Sequence, residues 1–187
     1  LGGTWSFYPA KYQVWFVAEC FRALNEFGSQ DSRQQALERS QKMRLERIEH
    51  EQATWQELEK QQSINETADQ RSVGLVLETR PDEIDPTEVK RLRRLGATKI
   101  QLGFQSLNDE ILAKNKRGHD VATIRQAVKM LRQAGFKIHA HWMPNLYGSS
   151  VEQDKKDYQK MFAQPDFRPD ELKIYPCSLL ETAELMD

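Results

Sequence analysis

Polar side chains stand near the ends of four short β-rich runs, and their types suit the binding of a polar ligand. Glu78 ends VGLVLE, Gln105 ends KIQLGFQ, and His141 is the penultimate residue of FKIHAHW. Lys173 and Tyr175 take similar places in ELKIYP. Burying such groups inside a protein costs free energy unless each finds a hydrogen-bonding partner. The pattern therefore predicts a ligand that supplies those partners.

The four runs belong to a regular alternation of strand and helix patterns that begins after Arg71. The predicted strands are 73–78, 99–105, 136–142 and 171–176, with helices predicted over 85–95, around 111–112, and over 121–134 and 151–163. Asp85, Pro86 and Glu88 form a helix-start signature of cap, first-turn proline and glutamate. Repeated βα units of this length predict a parallel sheet, either open and doubly wound or closed as a barrel.

Strand phase divides the predicted sheet into an apolar face and a polar face, because successive side chains point to opposite sides. The residues expected on the apolar face are Val73, Leu75, Leu77, Ile100, Leu102, Phe104, Phe136, Ile138, Ala140, Trp142, Leu172 and Ile174. The polar face receives Glu78, Gln101, Gln105, Lys137, His139, His141, Lys173 and Tyr175. In parallel α/β proteins the carboxyl ends of the strands form the ligand-binding edge, so a site is predicted there.

Length and composition indicate a globular protein and exclude several classes. The 187 residues carry a net charge of −1, and no apolar run reaches the roughly 18 residues of a membrane span. Any contact with nucleic acid must therefore be local. Cys20 and Cys177 lie far apart and read as reduced, packed thiols of a cytoplasmic protein. Two cysteines cannot build a metal site by themselves, so no metal ligand is predicted.

The N-terminal part combines one amphipathic helix with a long polar stretch. Apolar residues recur at helical spacing over 12–24, and Gly28 is a plausible stop. The stretch from about 31 to 70 predicts one or two exposed helices with a thin apolar seam at Leu45, Ile48, Trp55 and Leu58. Glu38 and Lys42 are spaced as a favourable pair within it. A partner-binding coiled coil is the alternative, but the seam extends over barely two heptads.

Six strings in a fixed order carry a resemblance to a known family. They are LGGTWSFYP, INETADQRSVGLVLETRPDEI, LGATKIQLGFQSLNDEIL, NKRGHD, GFKIHAHWMPNLYG and FRPDELKIYPCSL. Together they resemble the catalytic subunits of Elongator, which are radical-SAM tRNA uridine acetyltransferases. The resemblance spans the chain except for about 31–62, which looks like an insertion.

The resemblance implies an α/β fold, a partial parallel (β/α)6 radical-SAM barrel with a long, mostly helical polar insertion. It implies S-adenosylmethionine and a [4Fe-4S] cluster as cofactors, and acetyl-CoA as co-substrate. In this family a 5′-deoxyadenosyl radical is thought to take hydrogen from the methyl group of acetyl-CoA. The carbon radical then adds to C5 of the wobble uridine in tRNA, and hydrolysis leaves a carboxymethyl group.

The resemblance also assigns roles to individual residues of this sequence. Matching positions near S-adenosylmethionine are Gly2, Gly3, Thr4, Glu78, Gln105, Arg117 and His141. The glycine turn would approach the cofactor's amino group, Glu78 its ribose hydroxyls and Arg117 its carboxylate. Gln105 and His141 would be polar strand-end groups beside it, and no catalytic residue is assigned. Lys173 and Tyr175 would face the acetyl or uridine pocket.

The family's cysteine triad precedes the glycine turn and its acetyltransferase domain follows the barrel, so both are expected outside 1–187. Residues 1–187 are then expected to be part of a radical-SAM core domain, with about 31–70 as its insertion, and to be inactive alone. The implied partners are tRNA and acetyl-CoA in the cytoplasm, without a membrane, and further Elongator-type subunits or self-association. Two basic clusters, at 90–94 and 114–117, are candidates for tRNA phosphates.

Two other functions compete with this interpretation. One is another radical-SAM enzyme, such as an oxygen-independent coproporphyrinogen oxidase, which shares a strand similar to GFQS. The strings HAHWMPN and LKIYPCS argue against it. The other is a non-catalytic RNA-binding or interaction protein, for which the absence of closely spaced cysteines is the support.

Overall fold

The computed structural model describes residues 3–27, 34–35, 37–38 and 52–177. The chain divides into two compact units, one formed by Trp5–Leu75 and the other by Leu1–Thr4 with Val76–Asp187. Gly2, Leu45, Ile48 and the partner of the predicted 38–42 pair lie outside the described residues.

The first unit consists of a 3-10 turn and two helices. The turn is Trp5–Phe7, and the helices are α1 (Ala10–Glu26) and α2 (Trp55–Asn65), which pack on each other. Val17, Ala18 and Leu58 are fully buried, as expected for the apolar side of an amphipathic pair. Thr54 begins α2 with a reciprocal capping box to Glu57. The helix predicted over 12–24 is confirmed and is longer at both ends.

The second unit is a four-stranded parallel sheet with helices between the strands. The strands are β1 (Val76–Thr79), β2 (Lys99–Gln105), β3 (Lys137–Trp142) and β4 (Glu171–Ile174), in the order β1-β2-β3-β4. The helices are α3 (Pro86–Arg94), α4 (Asp109–Lys114), α5 (Val121–Gln133) and α6 (Val151–Ala163), and Pro81–Glu83 is a 3-10 turn. The predicted parallel α/β class is confirmed.

Local sequence signals set where these helices begin and end. Each helix of this unit starts with a side chain that accepts a hydrogen bond from its first turn, and the four caps are Asp85, Asn108, Asp120 and Ser150. Helices α3 and α5 end at Gly96 and Gly135, whose φ angles are 91° and 79°. The amide of the next residue bonds back to Leu92 or Leu131, which completes a Schellman motif. The predicted cap at Asp85 is therefore confirmed.

Strand phase is confirmed in the middle of the sheet. Ile100, Leu102, Phe104, Ile138 and Ala140 are fully buried, and helix α5 packs against β3. Gln101 and His139, on the opposite face, keep partial exposure. We call these two sides the apolar face and the polar face. No helix among the described residues combines the length and apolarity required to cross a membrane.

Three details of the prediction are wrong, each for a physical reason. Strand β1 begins at Val76, because its pairing starts opposite Lys99, and Val73 is 96% exposed. Strand β4 ends at Ile174, which is 52% exposed because β4 is an edge of the described sheet. Cys20 is exposed instead of packed, although partial burial and the nearby Glu19 carboxylate raise the pKa of its thiol.

Candidate ligand-binding site

Two rows of side chains cross the polar face of the sheet. In the lower row, Glu78, Gln101, His139 and Glu171 are paired in register from β1 to β4. In the upper row, nearer the carboxyl ends, Gly103, His141 and Lys173 are paired in register. Parallel pairing thus turns four separate sequence positions into one continuous polar surface.

The lower row is satisfied by contacts within the protein. The Gln101 amide lies 3.2 Å from His139 Nδ1, and Lys99 Nζ donates to the Glu171 carboxylate at 2.7 Å. His139 Nδ1 is also 3.5 Å from Glu171 Oε2. Gln101, His139 and Glu171 therefore each have a polar partner close by. Glu78 is the exception, since it reaches toward the upper row.

His141 is the centre of the upper row. It is 1% exposed, and its Nδ1 lies 3.8 Å from Glu78 Oε1, too far for a direct hydrogen bond. Its ring makes edge-on contacts with His139 and Tyr175, at centroid distances of 5.3 and 6.0 Å. Its Nε2 is buried without a hydrogen-bond partner among the described residues. This nitrogen is therefore available to a ligand.

Burial makes His141 a neutral group at physiological pH. Loss of solvent, together with the positive charges of Lys173 and His139, lowers the pKa of His141 from 6.5 to about 4. The contact with Glu78 is consequently not an ion pair at neutral pH, and burial dominates over that carboxylate. A neutral imidazole offers one hydrogen-bond donor and one acceptor. It can therefore hydrogen-bond to a ligand, and it does not repel a positively charged one.

Gln105 ends β2 in an unusual backbone conformation. Its φ is 64°, and the pairing with β3 shifts between Gly103 and Gln105. Its side chain folds over Gly103, where a Cβ atom would stand 3.0 Å from Gln105 Nε2. Gln105 is 6% exposed, and its Oε1 has no hydrogen-bond partner in the described structure. The irregularity thus lies at the carboxyl end of β2, together with a buried carboxamide acceptor that lacks a partner.

The backbone of Arg117 is fixed from both sides in the loop between α4 and α5. Its amide bonds to Leu112 O across the end of α4, where Lys116 adopts a φ of 49°. Its carbonyl accepts a 2.8 Å hydrogen bond from Arg80 Nη2. Burial and the neighbouring Arg80 lower the pKa of the Arg117 guanidinium, and its Nε is buried without a partner within the described ranges. An anionic group would satisfy this guanidinium.

Arg80 is itself held by the loop that follows β1. Its Nε and Nη2 donate to the two carboxylate oxygens of Asp82 at 2.9 and 2.6 Å. These bonds raise the pKa of Arg80 against the opposing effect of burial. Burial acts against ionisation of Asp82 as well, yet the hydrogen bonds from Arg80 keep the pKa of that carboxyl low. Arg80 and Asp82 therefore clamp the loop that carries Arg117.

The clamp requires Gly118. This residue has a φ of 77°, and a Cβ would lie 2.6 Å from Arg80 Nη2. We expect Gly118→Ala to lower the unfolding free energy by about 1–2 kcal/mol more than Gly135→Ala, because it also breaks hydrogen bonds of Arg80. Urea denaturation of both variants measures the difference.

Gly135→Ala is the matched control, since Gly135 has a φ of 79° with nothing within 4 Å of the added atom. Both variants carry the same backbone strain, so only the clamp distinguishes them. Equal losses of stability would show that Arg80 moves aside freely and does not clamp the loop.

The structure brings most of the predicted residues together. Glu78, Gln105 and His141 lie near the carboxyl ends of β1, β2 and β3. The His141 ring contacts Tyr175, and Arg117 is held by Arg80, which directly follows β1. Lys173 is exposed, with its Nζ 5.2 Å from the centre of the Tyr175 ring.

The predicted glycine turn is described only in part. Gly3 has a φ of 72°, the left-handed conformation that favours glycine, and Gly3 and Thr4 belong to the same compact unit as the sheet. The contacts described for Glu78, Gln105, Arg117 and His141 do not include Gly3 or Thr4. Gly2 lies outside the described residues. The turn therefore stays a prediction.

The two basic clusters are largely engaged within the fold. Arg91 pairs with Glu88, and Arg93 lies over the Phe136 ring and donates to Ala97 O. In the second cluster Lys114 pairs with Glu110. These contacts are internal to the fold, and contact of either cluster with tRNA phosphates stays a prediction.

Two buried side chains of this region could not be recognised in the sequence. The His119 side chain is 1% exposed and lies 3.9 Å from Asp82, and burial lowers its pKa. Asp157, on α6, accepts hydrogen bonds from Ser106 and Leu107 beside Gln105. The only local signal was Gly118, whose place between Arg117 and His119 suggests a close approach.

The described residues do not fit a metal ion or an iron–sulfur cluster. Cys20 and Cys177 are both free, and no group of three or more potential ligands occurs in the described part of the chain.

Comparison with known proteins assigns the chain to a family. The Radical SAM superfamily matches residues 35–159. A tRNA uridine(34) acetyltransferase from Methanocaldococcus infernus is 39% identical over all 187 residues, which are 30% of its length. A protein of the same name from Dehalococcoides mccartyi is 36% identical over 97% of this chain and 34% of its own length. This chain thus spans only about a third of the curated relatives that it matches.

Solved structures give the same result. The archaeal Methanocaldococcus infernus Elp3 with an N-terminal deletion has a TM-score of 0.79 at 39% identity, covering 100% of this chain and 38% of that one. Coproporphyrinogen III oxidase from Escherichia coli has a TM-score of 0.54 at 18% identity over 68% of this chain and 30% of its own, which shows a shared fold. By its sequence match and its fold, this chain belongs to the radical SAM superfamily.

Proposed function

We propose that this chain is the S-adenosylmethionine-binding part of a tRNA uridine acetyltransferase of the Elongator type. The observation that carries the proposal is the set of unpartnered buried atoms at the carboxyl edge, Gln105 Oε1, Arg117 Nε and His141 Nε2. Relatives named tRNA uridine(34) acetyltransferase, 36–39% identical over nearly the whole chain, supply the reaction class.

Membership of the superfamily implies S-adenosylmethionine and a [4Fe-4S] cluster. When bound together, these groups supply a 5′-deoxyadenosyl radical. The described residues fit the first group, because a molecule with an adenosine, two hydroxyls and a carboxylate matches their donors and acceptors. They do not fit the cluster, whose ligands we place outside 1–187.

Each residue then has a binding role. Arg117 binds the methionine carboxylate, since its backbone is held in place by Arg80 and its guanidinium lacks a partner at Nε. Glu78 accepts hydrogen bonds from the ribose hydroxyls, and Gln105 and His141 bind polar atoms of the adenosine. Gly2, Gly3 and Thr4 bring backbone close to the amino group. Burial of these side chains excludes water from the ligand.

The co-substrate and the partners belong to the same proposal. The acetyl group comes from acetyl-CoA bound outside 1–187, and Lys173 and Tyr175 face the acetyl or uridine pocket. The substrate is tRNA in the cytoplasm, and further Elongator-type subunits or self-association complete the assembly. Elongator complex protein 3 of Saccharomyces cerevisiae, 28% identical over all of this chain and 29% of its own length, supports the last point. Residues 1–187 are proposed as part of one radical-SAM core domain, with about 31–70 as its insertion.

Neither alternative is favoured by a specific observation. The likeness to coproporphyrinogen III oxidase is one of fold alone at 18% identity. A non-catalytic RNA-binding protein would have no need for an unpartnered carboxamide, guanidinium and imidazole near the carboxyl edge of one sheet. Binding of a ligand at this edge explains all three unpartnered groups.

The proposal is tested with the full natural polypeptide, prepared without oxygen and given dithionite, S-adenosylmethionine, acetyl-CoA and tRNA. We expect 5′-deoxyadenosine together with a carboxymethyl group on the wobble uridine, both measured by mass spectrometry. The control omits acetyl-CoA and should leave the uridine unmodified. A parallel reaction contains coproporphyrinogen III in place of acetyl-CoA and tRNA. Its decarboxylation, together with unmodified tRNA in the first reaction, would overturn the proposal, as would tRNA binding without any cleavage of S-adenosylmethionine.

A further inference from the structure

Asp157 is a buried carboxylate that contacts the two residues directly after β2. It is on α6 and is 3% exposed. Its Oδ2 accepts hydrogen bonds from Ser106 Oγ at 2.5 Å and from the Leu107 amide at 2.8 Å. Its Oδ1 accepts from Gln153 Nε2 at 3.0 Å. Two of its three donors thus come from the two residues that directly follow Gln105.

Gln105 needs such support because its backbone is strained. The Ser106 amide bonds to Phe104 O at 2.8 Å, across a Gln105 φ of 64°. A three-residue turn with a positive central φ is rare and strained, and a side chain with a Cβ disfavours it. Such a conformation persists only where the surroundings determine it fully.

Contacts from three residues hold Gln105 and the segment that follows it in place. Asp157 accepts hydrogen bonds from the Ser106 hydroxyl and the Leu107 amide, which follow Gln105 in the chain. The Met143 amide donates to Gln105 O at 3.0 Å. Lys160, one turn beyond Asp157 on α6, donates to Leu107 O at 2.9 Å. Since it accepts hydrogen bonds from both Ser106 Oγ and the Leu107 amide, Asp157 holds the segment that directly follows the turn at two points.

We propose that Asp157 is a positioning residue that keeps Gln105 in its strained turn, with the carboxamide aimed at the ligand. The assignment rests on the proposed function, because the ligand is taken to be S-adenosylmethionine. Gln105 Oε1 is the buried acceptor without a partner, and Gly103 leaves the space in which the carboxamide lies. Without Asp157 the turn relaxes and the carboxamide acceptor moves away from the ligand.

The test compares Asp157→Ala with Asp154→Ala in the full natural polypeptide. Asp154 is a matched control on the same helix, since it also accepts two hydrogen bonds, from the Asn145 amide and Ser149 Oγ. Those donors belong to the loop after β3. We expect Asp157→Ala to weaken S-adenosylmethionine binding about tenfold in calorimetry, and Asp154→Ala by less than about twofold.

A double-mutant cycle separates positioning from general destabilisation. In a Gln105→Ala background, Asp157→Ala should change the affinity by less than about twofold, since no carboxamide is left to position. Asp157→Asn should recover most of the binding, because its amide oxygen still accepts from Ser106 and Leu107 while Gln153 turns its own amide. If Asp157→Ala does not fold, Ser106→Ala should give about a threefold loss that vanishes in the Gln105→Ala background.

Equal effects of the two alanine variants, or an Asp157→Ala effect that persists without the Gln105 side chain, would overturn the assignment. Hydrogen exchange of the Ser106 amide gives a readout that needs no ligand. Faster exchange in Asp157→Ala but not in Asp154→Ala supports positioning even if the wild type binds no S-adenosylmethionine, in which case only the proposed function fails. Unchanged exchange removes the positioning role.

Discussion

Glu78→Ala is expected to weaken S-adenosylmethionine binding about 100-fold and to reduce formation of 5′-deoxyadenosine in parallel. The carboxylate lies on the polar face of β1, 3.8 Å from His141, and is the acidic group of the candidate site. Hydrogen bonds to a charged acceptor each contribute roughly 1.5–3 kcal/mol, and a ribose presents two hydroxyl donors. Calorimetry measures the affinity, and chromatography measures the cleavage product.

Glu171→Ala is the matched control. Glu171 occupies the same lower row of the sheet, but it is three strands away, roughly 14 Å, and pairs with Lys99. Glu171→Ala removes the same charge from the same face of the sheet, so the affinity for S-adenosylmethionine should change by less than about threefold. Glu78→Gln should give an intermediate loss, since the amide keeps one acceptor. Normal affinity in Glu78→Ala would remove the ribose contact.

The stability of wild-type protein is expected to fall as the pH falls from 6.5 to 4, by roughly 3 kcal/mol that depends on His141. In the unfolded chain this imidazole takes up a proton near pH 6.5, but in the folded protein its pKa is about 4. Between these values the unfolded state binds more protons, so acid favours unfolding. The stabilisation is complete above pH 6.5 and is lost as the pH falls through the folded pKa.

Urea denaturation at several pH values measures this effect in wild type and in His141→Gln. The variant cannot titrate at this position, so the difference between the two curves should rise with pH across the window. His139→Gln is the control, because His139 is 15% exposed and its pKa, also lowered by burial, leaves a smaller slope. A difference that stays flat from pH 7 to pH 4 would show that His141 is not buried as a neutral group.

Most of the second unit could be predicted because its signals are local. Asp85 and Glu88 lie three residues apart and meet within one helical turn, and α6 covers the 151–163 that its pattern predicts. Alternation along β2 and β3 separates Ile100 from Gln101 and Ile138 from His139 without knowledge of any other strand. Such patterns depend on neighbours within about four residues, which the sequence specifies directly.

The candidate site could be predicted by residue type but not by geometry. Glu78, Gln105 and His141 were expected at strand ends, and register brings them to one edge. The limits of the strands could not be predicted in the same way, because pairing with a neighbouring strand decides where each strand begins and ends. Val73 lacks a partner strand beside it and Ile174 lies on an edge, so both are exposed despite their apolar character.

The sequence alone determined the alternation of helices and strands, the polar face and the residue types at its carboxyl edge. Only the tertiary structure decided that Arg80 and Asp82 hold Arg117, that His141 is neutral, and that Asp157 supports the turn at Gln105. Each of these facts joins residues 35 or more positions apart, or depends on how much water surrounds one atom. Burial and long-range contacts are properties of the packed chain, so they follow from the fold and not from any local pattern.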